Sequence, residues 1–144
     1  MDTKKEKLNV LFLCTGNSCR SQMAEGWARH LKSGCIEAFS AGVSPHKINE
    51  RAVQIMAEAG VDISGHTSNH LDEYSMLEFD YVITVCDNAK EQCPLYPKKT
   101  KMIHHQFEDP SFVIGTDEEI MAEFRRVRDE IRDFVAGMPG NLEK

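Results

Sequence analysis

The chain has 144 residues, of which 41% are apolar and 28% are charged, and its formal net charge is −6. This length suits one domain with its own core, and the negative charge argues against a nucleic-acid-binding protein or a basic membrane-surface protein. An anionic substrate stays compatible with that charge, because screening limits charge effects to ~8 Å and a local pocket can be positive. No apolar run approaches the ~20 residues of a membrane span, and the charged N-terminal segment lacks a signal-peptide cleavage pattern. We therefore expect a single cytoplasmic domain over residues 1–144.

Apolar runs that suit strands alternate with segments whose apolar residues repeat at helical spacing. The strands are predicted, in chain order, over residues 8–13, 36–40, 81–86 and 101–104. The helices are predicted over residues 23–31, 52–59 and, after the capping box Thr116-x-x-Glu119, 120–134. The first run is apolar without alternation, which is typical of a strand buried on both faces, as in a parallel sheet.

The predicted fold is a three-layer α/β sandwich that forms one domain. A four-stranded parallel sheet in the order 2-1-3-4 lies between helices on both faces, with right-handed crossovers. In such sheets ligands bind beyond the carboxyl ends of the strands. Cys14 and Cys86 both stand at such ends. The sequence therefore predicts a functional site at this edge of the sheet.

The segment CTGNSCR, from Cys14 to Arg20, lies between the first strand and the first helix. A cysteine followed after five residues by an arginine suits a tight loop whose N–H groups converge on one oxyanion, with the positive end of the next helix aimed at the same point. Gly16 and Asn17 tolerate the positive φ that such a loop needs. Arg20 can hold two oxygens of the anion with its planar fork. These surroundings favour Cys14 as a thiolate nucleophile.

The anion loop is predicted to comprise the seven residues that follow Cys14. The alternative is a buried cysteine that ends a strand beside an ordinary turn. The coincidence of a strand, a Gly-Asn turn and an amphipathic helix favours the binding loop. The residues predicted to bind the substrate are Thr15, Gly16, Asn17, Ser18, Cys19, Arg20 and Ser21.

Five cysteines are an odd number, so they cannot all pair with one another. In a chain without a secretion signal, a disulfide framework is disfavoured and metal-binding or catalytic roles gain weight. The spacings Cys14-x4-Cys19 and Cys86-x6-Cys93 fit the short cysteine pairs of zinc sites poorly. Cys19 is expected to be a small buried residue of the loop, and Cys35 to have no part in the chemistry. No metal site and no tightly bound cofactor are predicted.

Six segments carry a family resemblance that extends over nearly the whole chain. They are the CTGNSCRS loop, SAG at 40–42, HTS at 66–68, VCDNAKEQC, FEDP and EFRRVRDEI. With these motifs the chain resembles the low-molecular-weight tyrosine phosphatase superfamily, and more narrowly the thioredoxin-coupled arsenate reductases on that fold. The resemblance implies an arsenic-detoxification enzyme with arsenate as substrate, phosphate and sulfate as competing oxyanions, and thioredoxin as reductant. We expect it to act as a monomer.

The same resemblance implies a relay of three cysteines. Cys14 attacks arsenate, Cys86 then attacks the Cys14 sulfur and releases arsenite, and Cys93 forms the final Cys86–Cys93 disulfide for thioredoxin. If residues 87–93 are helical in the reduced protein, they span ~10.5 Å. A disulfide needs Cα atoms within ~7 Å, so we expect oxidation to unwind this segment and expose the disulfide.

The resemblance also assigns supporting roles around the nucleophile. Asp109, in the FEDP segment, matches the position of the general acid, although an Asp-Pro pair alone also suits an ordinary turn. Asn17 is expected to hydrogen-bond the backbone of its loop, and Ser21 to hydrogen-bond the nucleophilic sulfur. Thr15 replaces an apolar residue that is usual in the phosphatases, which fits the reductase branch. Thr67 is expected to approach the second cysteine of the relay.

Some reductases of this family bind potassium near the anion loop. The matching positions are Asn17, Glu25, Ser40 and Asn69. The family's carboxylate is missing at Asn69, and the loss of an anionic oxygen ligand weakens a site for a hard cation. We therefore do not expect this chain to require potassium.

Two other functions share part of this sequence pattern. A phosphotyrosine phosphatase would use the same loop and acid, and weak phosphatase activity is expected here in either case. However, phosphatases of this type place an aromatic residue directly after Asp-Pro, where this chain has Ser111 and then Phe112, and they lack the pair Cys86 and Cys93. A non-catalytic oxyanion or redox sensor with a partner protein is the alternative from another class.

Overall fold

The structure is a computed structural model that describes residues 7–86, 96 and 99–142. Within these residues the strands are β1 (Leu8–Cys14), β2 (Ile36–Gly42), β3 (Tyr81–Thr84) and β4 (Lys101–His104). The α-helices are α1 (Arg20–Leu31), α2 (Glu50–Glu58) and α3 (Asp117–Ala136). Short 3-10 helices lie at Leu71–Tyr74, Pro110–Phe112 and Gly140–Leu142. None of the helices in the described part of the chain is both long enough and apolar enough to cross a membrane.

The four strands form one parallel sheet in the order β2-β1-β3-β4, which confirms the predicted order. The central strand β1 is almost wholly buried from Val10 onward. Its last residue, Cys14, pairs with Gly42 at the end of β2, and Leu13 pairs with Thr84 at the end of β3. The carboxyl ends of three neighbouring strands therefore meet at one edge, as the continuous apolar run of β1 predicts.

All three α-helices share one apolar core with one face of the sheet. Phe12 of β1, Met23 of α1, Met56 of α2 and Phe124 of α3 are members of this core, and each is at most 1% exposed. Burying side chains of this size stabilises the fold by ~1.5–3 kcal/mol each. The core thus fixes the start of α1 against the end of β1.

A second apolar cluster covers the opposite face of the sheet and completes the three layers. Leu11 and Leu13 of β1 point to this side, where Leu71 and Phe79 pack against them. The ring of Phe39 meets the ring of Phe79 edge to face, at a centroid distance of 5.4 Å. Among the described residues this layer is formed by the 3-10 helix Leu71–Tyr74 and by aromatic rings.

Several element boundaries differ by one to three residues from the sequence-based expectation, as α1 and β3 illustrate. Helix α1 begins at Arg20, three residues before its first apolar position, and β3 ends at Thr84 instead of residue 86. Val85 nevertheless donates its N–H to the Leu13 carbonyl at 3.1 Å, so the chain follows β1 beyond the strand. The predicted capping box at the start of α3 is present, with both Thr116–Glu119 bonds formed.

Candidate active site at the carboxyl end of the sheet

The predicted anion loop joins the last residue of β1 to the first residue of α1. Cys14 is 3% exposed and Arg20 is 4% exposed, so both ends of the loop are buried. Asn17 is fully buried and has a φ of +48°, the left-handed conformation that the Gly-Asn pair predicted. Gly16 itself packs against an imidazole, because a Cβ at this position would lie 2.9 Å from Cδ2 of His46.

The carbonyl groups of Thr15, Gly16, Asn17 and Ser18 accept hydrogen bonds from outside the loop. The backbone N–H groups of Val43 and Ser44 donate to the carbonyl of Thr15. The N–H of His46 donates to Gly16, and the N–H of Asn49 donates to Ser18. The carbonyl of Asn17 accepts from the side chains of Gln22 and Ser68. A planar trans peptide places its N–H opposite its C=O. The N–H groups of residues 16–19 therefore point away from these donors, into the loop, where they can bind an oxyanion.

A chain of oriented hydrogen bonds ends on the sulfur of Cys14. The N–H of Asn69 can only donate, and it lies 2.8 Å from Oδ1 of Asn17, which fixes the orientation of that amide. Nδ2 of Asn17 therefore donates to Oγ of Ser21, at 2.9 Å. The hydroxyl oxygen of Ser21 lies 3.0 Å from Sγ of Cys14, and because a thiolate can only accept, the hydroxyl donates to the sulfur when Cys14 is ionised. Such a donor stabilises a thiolate.

These hydrogen bonds correct one prediction and support another. Ser21 contacts the nucleophilic sulfur as predicted. The side chain of Asn17, however, bonds to Ser21 and to the backbone of Asn69, and not to the backbone of its own loop as expected. The physical reason is the left-handed backbone at Asn17, which turns the amide toward the neighbouring segment.

Gly42 lets the loop approach the end of β2 closely. A Cβ at this position would lie 2.5 Å from the carbonyl oxygen of Thr15 and 3.0 Å from the N of Asn17. No side chain fits in that space without moving the loop. Gly42 is thus a functional position that the sequence indicated only through the SAG motif of the family resemblance.

Arg20 and Asp109 meet at the open side of the loop. Nη2 of Arg20 lies 3.3 Å from Oδ2 of Asp109, and Nη1 donates to the carbonyl of Phe107 at 3.2 Å. The other oxygen of Asp109 accepts from the N–H and the hydroxyl of Ser111, at 2.9 and 2.6 Å. These contacts hold the carboxyl group at the site and support the prediction that Asp109 belongs to it.

A pocket of about 220 Å³ opens in front of the nucleophile. Five of the seven predicted loop residues line it, and Asn17 and Ser21 do not. The lining residues are Cys14, Thr15, Gly16, Ser18, Cys19, Arg20, His46, Asp109, Ser111 and Phe112. His46 and Phe112 were not predicted to contribute to the site. A larger cavity, of about 480 Å³, lies behind Ser68 and contains none of the cysteines in its lining.

The two thiols of the loop differ in their surroundings. Burial raises the pKa of the Cys19 thiol well above its ordinary value, and the negative charge of Asp109 raises it further, while Arg20 opposes the shift. Cys19 is therefore held as a neutral thiol, in line with the structural role predicted for it. Cys14, in contrast, has the Ser21 hydroxyl directed at its sulfur.

Cys86 lies two residues beyond the end of β3, the strand that pairs with β1. It is fully buried and takes part in a disulfide, whereas Cys14, Cys19 and Cys35 are free thiols. Adjacent strands are ~4.8 Å apart, so the pairing of Leu13 with Thr84 brings residues 14 and 86 to the same edge. Cys93 and the segment predicted to unwind lie outside the described residues.

The approach of Thr67 to the second cysteine of the relay stays a prediction, and the hydrogen bonds of Thr67 are made to Asn69 and Gln22. Its hydroxyl donates to Oδ1 of Asn69 at 3.0 Å, and its carbonyl accepts from Nε2 of Gln22 at 2.9 Å. Gln22 is fully buried and also bonds to the carbonyl of Asn17. Gln22 is a supporting residue that the sequence analysis missed, and its only signal was a polar side chain among the core positions of α1.

The four candidate potassium ligands lie close together but already have partners. Oε1 of Glu25 accepts from the Ser40 hydroxyl at 2.5 Å, and Oε2 accepts from Nε of Arg29 at 2.8 Å. The side chain of Asn69 bonds to Thr67 and Tyr74, and Oδ1 of Asn17 accepts from the Asn69 N–H. The one carboxylate of the set is thus neutralised by an arginine, and these residues do not fit a bound cation.

Comparison with known proteins agrees with this architecture. The family model described as low molecular weight phosphotyrosine protein phosphatase matches residues 9–144. This chain belongs to that family. An arsenate reductase of Bacillus licheniformis is 49% identical over 129 residues, which cover 90% of this chain and 93% of the relative, so within the family the chain groups with the arsenate reductases.

Two solved structures of family members are similar to the whole of the described fold. An arsenate reductase in the phosphate binding state has a TM-score of 0.75 and 35% identity, covering 94% of this chain and 95% of its own. A thioredoxin-dependent arsenate reductase of Corynebacterium glutamicum has a TM-score of 0.64 and 26% identity, covering 99% of this chain and 66% of its own. The predicted three-layer fold and family are thereby confirmed.

Proposed function

We propose that this family member reduces arsenate to arsenite with a relay of Cys14, Cys86 and Cys93, and that thioredoxin reduces the final disulfide. The observation that carries the proposal is the arrangement at one sheet edge of a buried thiol inside an anion loop and a second, disulfide-bonded cysteine just beyond the next strand. A phosphatase needs only the first of these cysteines. Reduction of arsenic needs two electrons, which a pair of thiols supplies.

The first step joins sulfur to arsenic. The inward N–H groups and Arg20 hold the arsenate oxygens, and the Cys14 thiolate attacks the arsenic. Asp109 gives a proton to the departing oxygen, which leaves as water. The contact between Arg20 and Asp109 keeps the acid beside the oxygens that Arg20 binds. The product is an arsenic(V) ester of Cys14, and no electrons have yet been transferred.

The second step carries the redox chemistry. The thiolate of Cys86 attacks the Cys14 sulfur, and the electron pair of the sulfur–arsenic bond stays on arsenic, which leaves as arsenite. The Cys14–Cys86 disulfide that forms holds the oxidising equivalents. Arg20 approaches the carbonyl of Val85 at 3.5 Å, so the anion clamp and the residue before Cys86 are in contact.

The third step restores the nucleophile. Cys93 attacks the Cys86 sulfur, and Cys14 leaves as a thiolate that can bind the next arsenate. A state with Cys86 oxidised and Cys14 free, as found here, supports this order, because it corresponds to the enzyme that awaits its reductant. The thioredoxin-dependent relative supports thioredoxin as that reductant, whose potential of about −270 mV suits the task.

Weak phosphatase activity is the second function that the site supports. Phe112 lines the pocket and is 58% exposed, so its ring can contact an aryl ester even though it follows Asp-Pro by two residues instead of one. The shared nucleophile and acid can cleave such an ester without any other cysteine. Phosphate and sulfate are expected to compete with arsenate for the same loop, and the relative solved with phosphate supports this.

A coupled assay tests the relay directly. Arsenate-dependent consumption of NADPH is followed with thioredoxin and its reductase, and hydrolysis of an aryl phosphate is followed in parallel. Cys86→Ser should lose arsenate turnover and keep phosphate-ester hydrolysis, and Cys35→Ser, a free thiol away from the site, should keep both. Sustained arsenate turnover by Cys86→Ser would contradict the relay, and no NADPH consumption by the unmodified protein would favour a sensor.

A trapping experiment tests the order of the disulfides. In Cys93→Ser the relay should stop after one turnover, with a Cys14–Cys86 disulfide that peptide mapping can detect. One arsenite should be released per protein chain. A Cys14–Cys19 disulfide in its place would overturn the proposed order.

A further inference from the structure

We propose that Arg29 is a built-in counter-cation for Glu25 and supplies the positive charge that a cation bound at this site would bring. The side chain of Glu25 is only 9% exposed, and an isolated carboxylate at such a site is strongly destabilised. Nε of Arg29 lies 2.8 Å from Oε2 of Glu25, one helical turn along α1. The positive charge that the buried carboxylate needs is therefore part of the chain.

The geometry of Arg29 differs from that of an ordinary surface ion pair. While its Nε contacts Glu25, its Nη2 donates to the carbonyl of Ala38 in β2 at 3.1 Å. The guanidinium thus joins α1 to β2 beside the buried carboxylate. The second oxygen of Glu25 accepts from Ser40, also in β2. The donors of Arg29 and Ser40 together occupy both oxygens that a cation would need.

The Glu25–Arg29 pair is connected to the anion loop. A cavity of about 340 Å³ is lined by Glu25, Arg29, Asn69 and Tyr74 among others, and the backbone N–H of Asn69 holds the Asn17 amide. Burial raises the pKa of the Tyr74 hydroxyl, and the charge of Glu25 raises it further, which places that carboxylate within electrostatic reach of the Asn69 segment. A change of charge at Glu25 should therefore reach the loop through Asn69.

The expectation for the unmodified protein is indifference to potassium. Its thermal midpoint, measured at constant ionic strength, should be the same in potassium, sodium and choline chloride. Its arsenate turnover should also be the same in the three salts. Only this second measurement rests on the proposed function. If the protein reduced no arsenate, the thermal midpoints would still test the role of Arg29.

Removal of the guanidinium should create a potassium site. Arg29→Met leaves Glu25 without a counter-charge but with oxygen ligands around it, which hard cations prefer. We expect a thermal midpoint lower by about 3–6 °C in choline chloride, with at least half of the loss restored by potassium chloride. Arg29→Gln should behave in the same way, and Arg29→Lys, which keeps the charge, should remain indifferent.

Two further variants separate charge from general damage. Arg125→Met removes an arginine of similar exposure, 44%, whose partner Glu58 is 40% exposed, and its midpoint should not depend on potassium. In the double variant Glu25→Gln/Arg29→Met both charges are gone, so the potassium response should disappear. A potassium-dependent midpoint of the unmodified protein, or Arg29 variants destabilised equally in all three salts, would overturn the proposal.

Discussion

The hydroxyl oxygen of Ser21 lies 3.0 Å from the sulfur of Cys14. The Asn69 N–H fixes the Asn17 amide, which in turn donates to the Ser21 oxygen and holds it beside the sulfur. A thiolate can only accept, so the ionised nucleophile receives a hydrogen bond from a hydroxyl that its neighbours hold in place. This arrangement leads to the first of four predictions.

Ser21→Ala should reduce the reactivity of Cys14 without unfolding the protein. A hydrogen bond to a charged group contributes ~1.5–3 kcal/mol, so we expect iodoacetamide to alkylate Cys14 roughly 10- to 100-fold more slowly at neutral pH. The rate should recover at high pH, where the thiolate forms without help. Peptide mass analysis distinguishes Cys14 from Cys19, and Ser44→Ala, an exposed serine, is the matched control. An unchanged alkylation rate would falsify the proposed hydrogen-bond direction.

Asp109→Asn should slow the chemical step far more than it weakens binding. The amide cannot give a proton to the leaving oxygen, and general acids contribute ~10²–10⁴-fold to a rate. We expect this loss in kcat for both arsenate and an aryl phosphate, with a smaller change in KM. Glu108→Gln alters the neighbouring carboxylate, which pairs with Arg126 at the surface, and should leave kcat unchanged. Equal kcat values for the two variants would remove Asp109 from the mechanism.

Gly42→Ala should damage the anion loop through a single added methyl group. That group would lie 2.5 Å from the Thr15 carbonyl oxygen, and because the obstacle is backbone, the loop itself must move. Overpacking of this kind costs ~1–3 kcal/mol of unfolding free energy. We expect a lower thermal midpoint and at least a 10-fold weaker inhibition by phosphate. Gly34→Ala is the control, because a Cβ at that position would meet nothing within 4 Å. Equal inhibition of both variants by phosphate would contradict the expectation.

The stability of the protein should fall as the pH is lowered from 7 to 5. Burial lowers the pKa values of His66 and His105 below 6.5 in the folded protein, and the charge of the neighbouring His104 adds to the shift at His105. As the pH falls, the unfolded chain therefore binds protons before the folded protein does. Unfolding free energy that is present above pH ~6.5 is lost until the two imidazole rings are also protonated in the folded protein.

Variants at these two histidines provide the measurement for this prediction. Denaturant unfolding at pH 5, 6 and 7 should show a smaller loss of unfolding free energy in His105→Phe, whose ring can keep the stacking on Phe134 at a centroid distance of 4.2 Å. The double variant His66→Gln/His105→Phe should show a still smaller loss of unfolding free energy. If the unfolding free energy falls equally with pH in all variants, other groups determine the pH dependence.

Features encoded by neighbouring residues could be predicted from the sequence. The anion loop could be recognised from seven consecutive residues, because the strand, the left-handed turn at Asn17 and the start of α1 follow one another without interruption. The parallel sheet followed from the alternation of elements and from the rule for right-handed crossovers, whereas the strand order 2-1-3-4 was predicted without being fixed by that pattern. The Thr116 capping box is similarly local, and it was correctly identified.

Contacts between distant segments could not be predicted. The role of Gly42 depends on the carbonyl of Thr15, 27 positions away, and that of Gln22 depends on a carbonyl of the 66–69 segment. The bond from the Thr67 hydroxyl to Asn69 was likewise not predicted, and the approach of Thr67 to the relay stays a prediction. Neither spacing nor composition indicates which of two polar partners a side chain selects.

The outward carbonyl groups of the anion loop have a consequence for how tightly the protein can hold its substrate. Because every one of them is bonded before an anion arrives, the loop is ordered when the protein folds and not when it binds. Binding then carries little entropic penalty for immobilising the backbone, and the attraction between the N–H groups and the oxyanion is available almost in full as affinity.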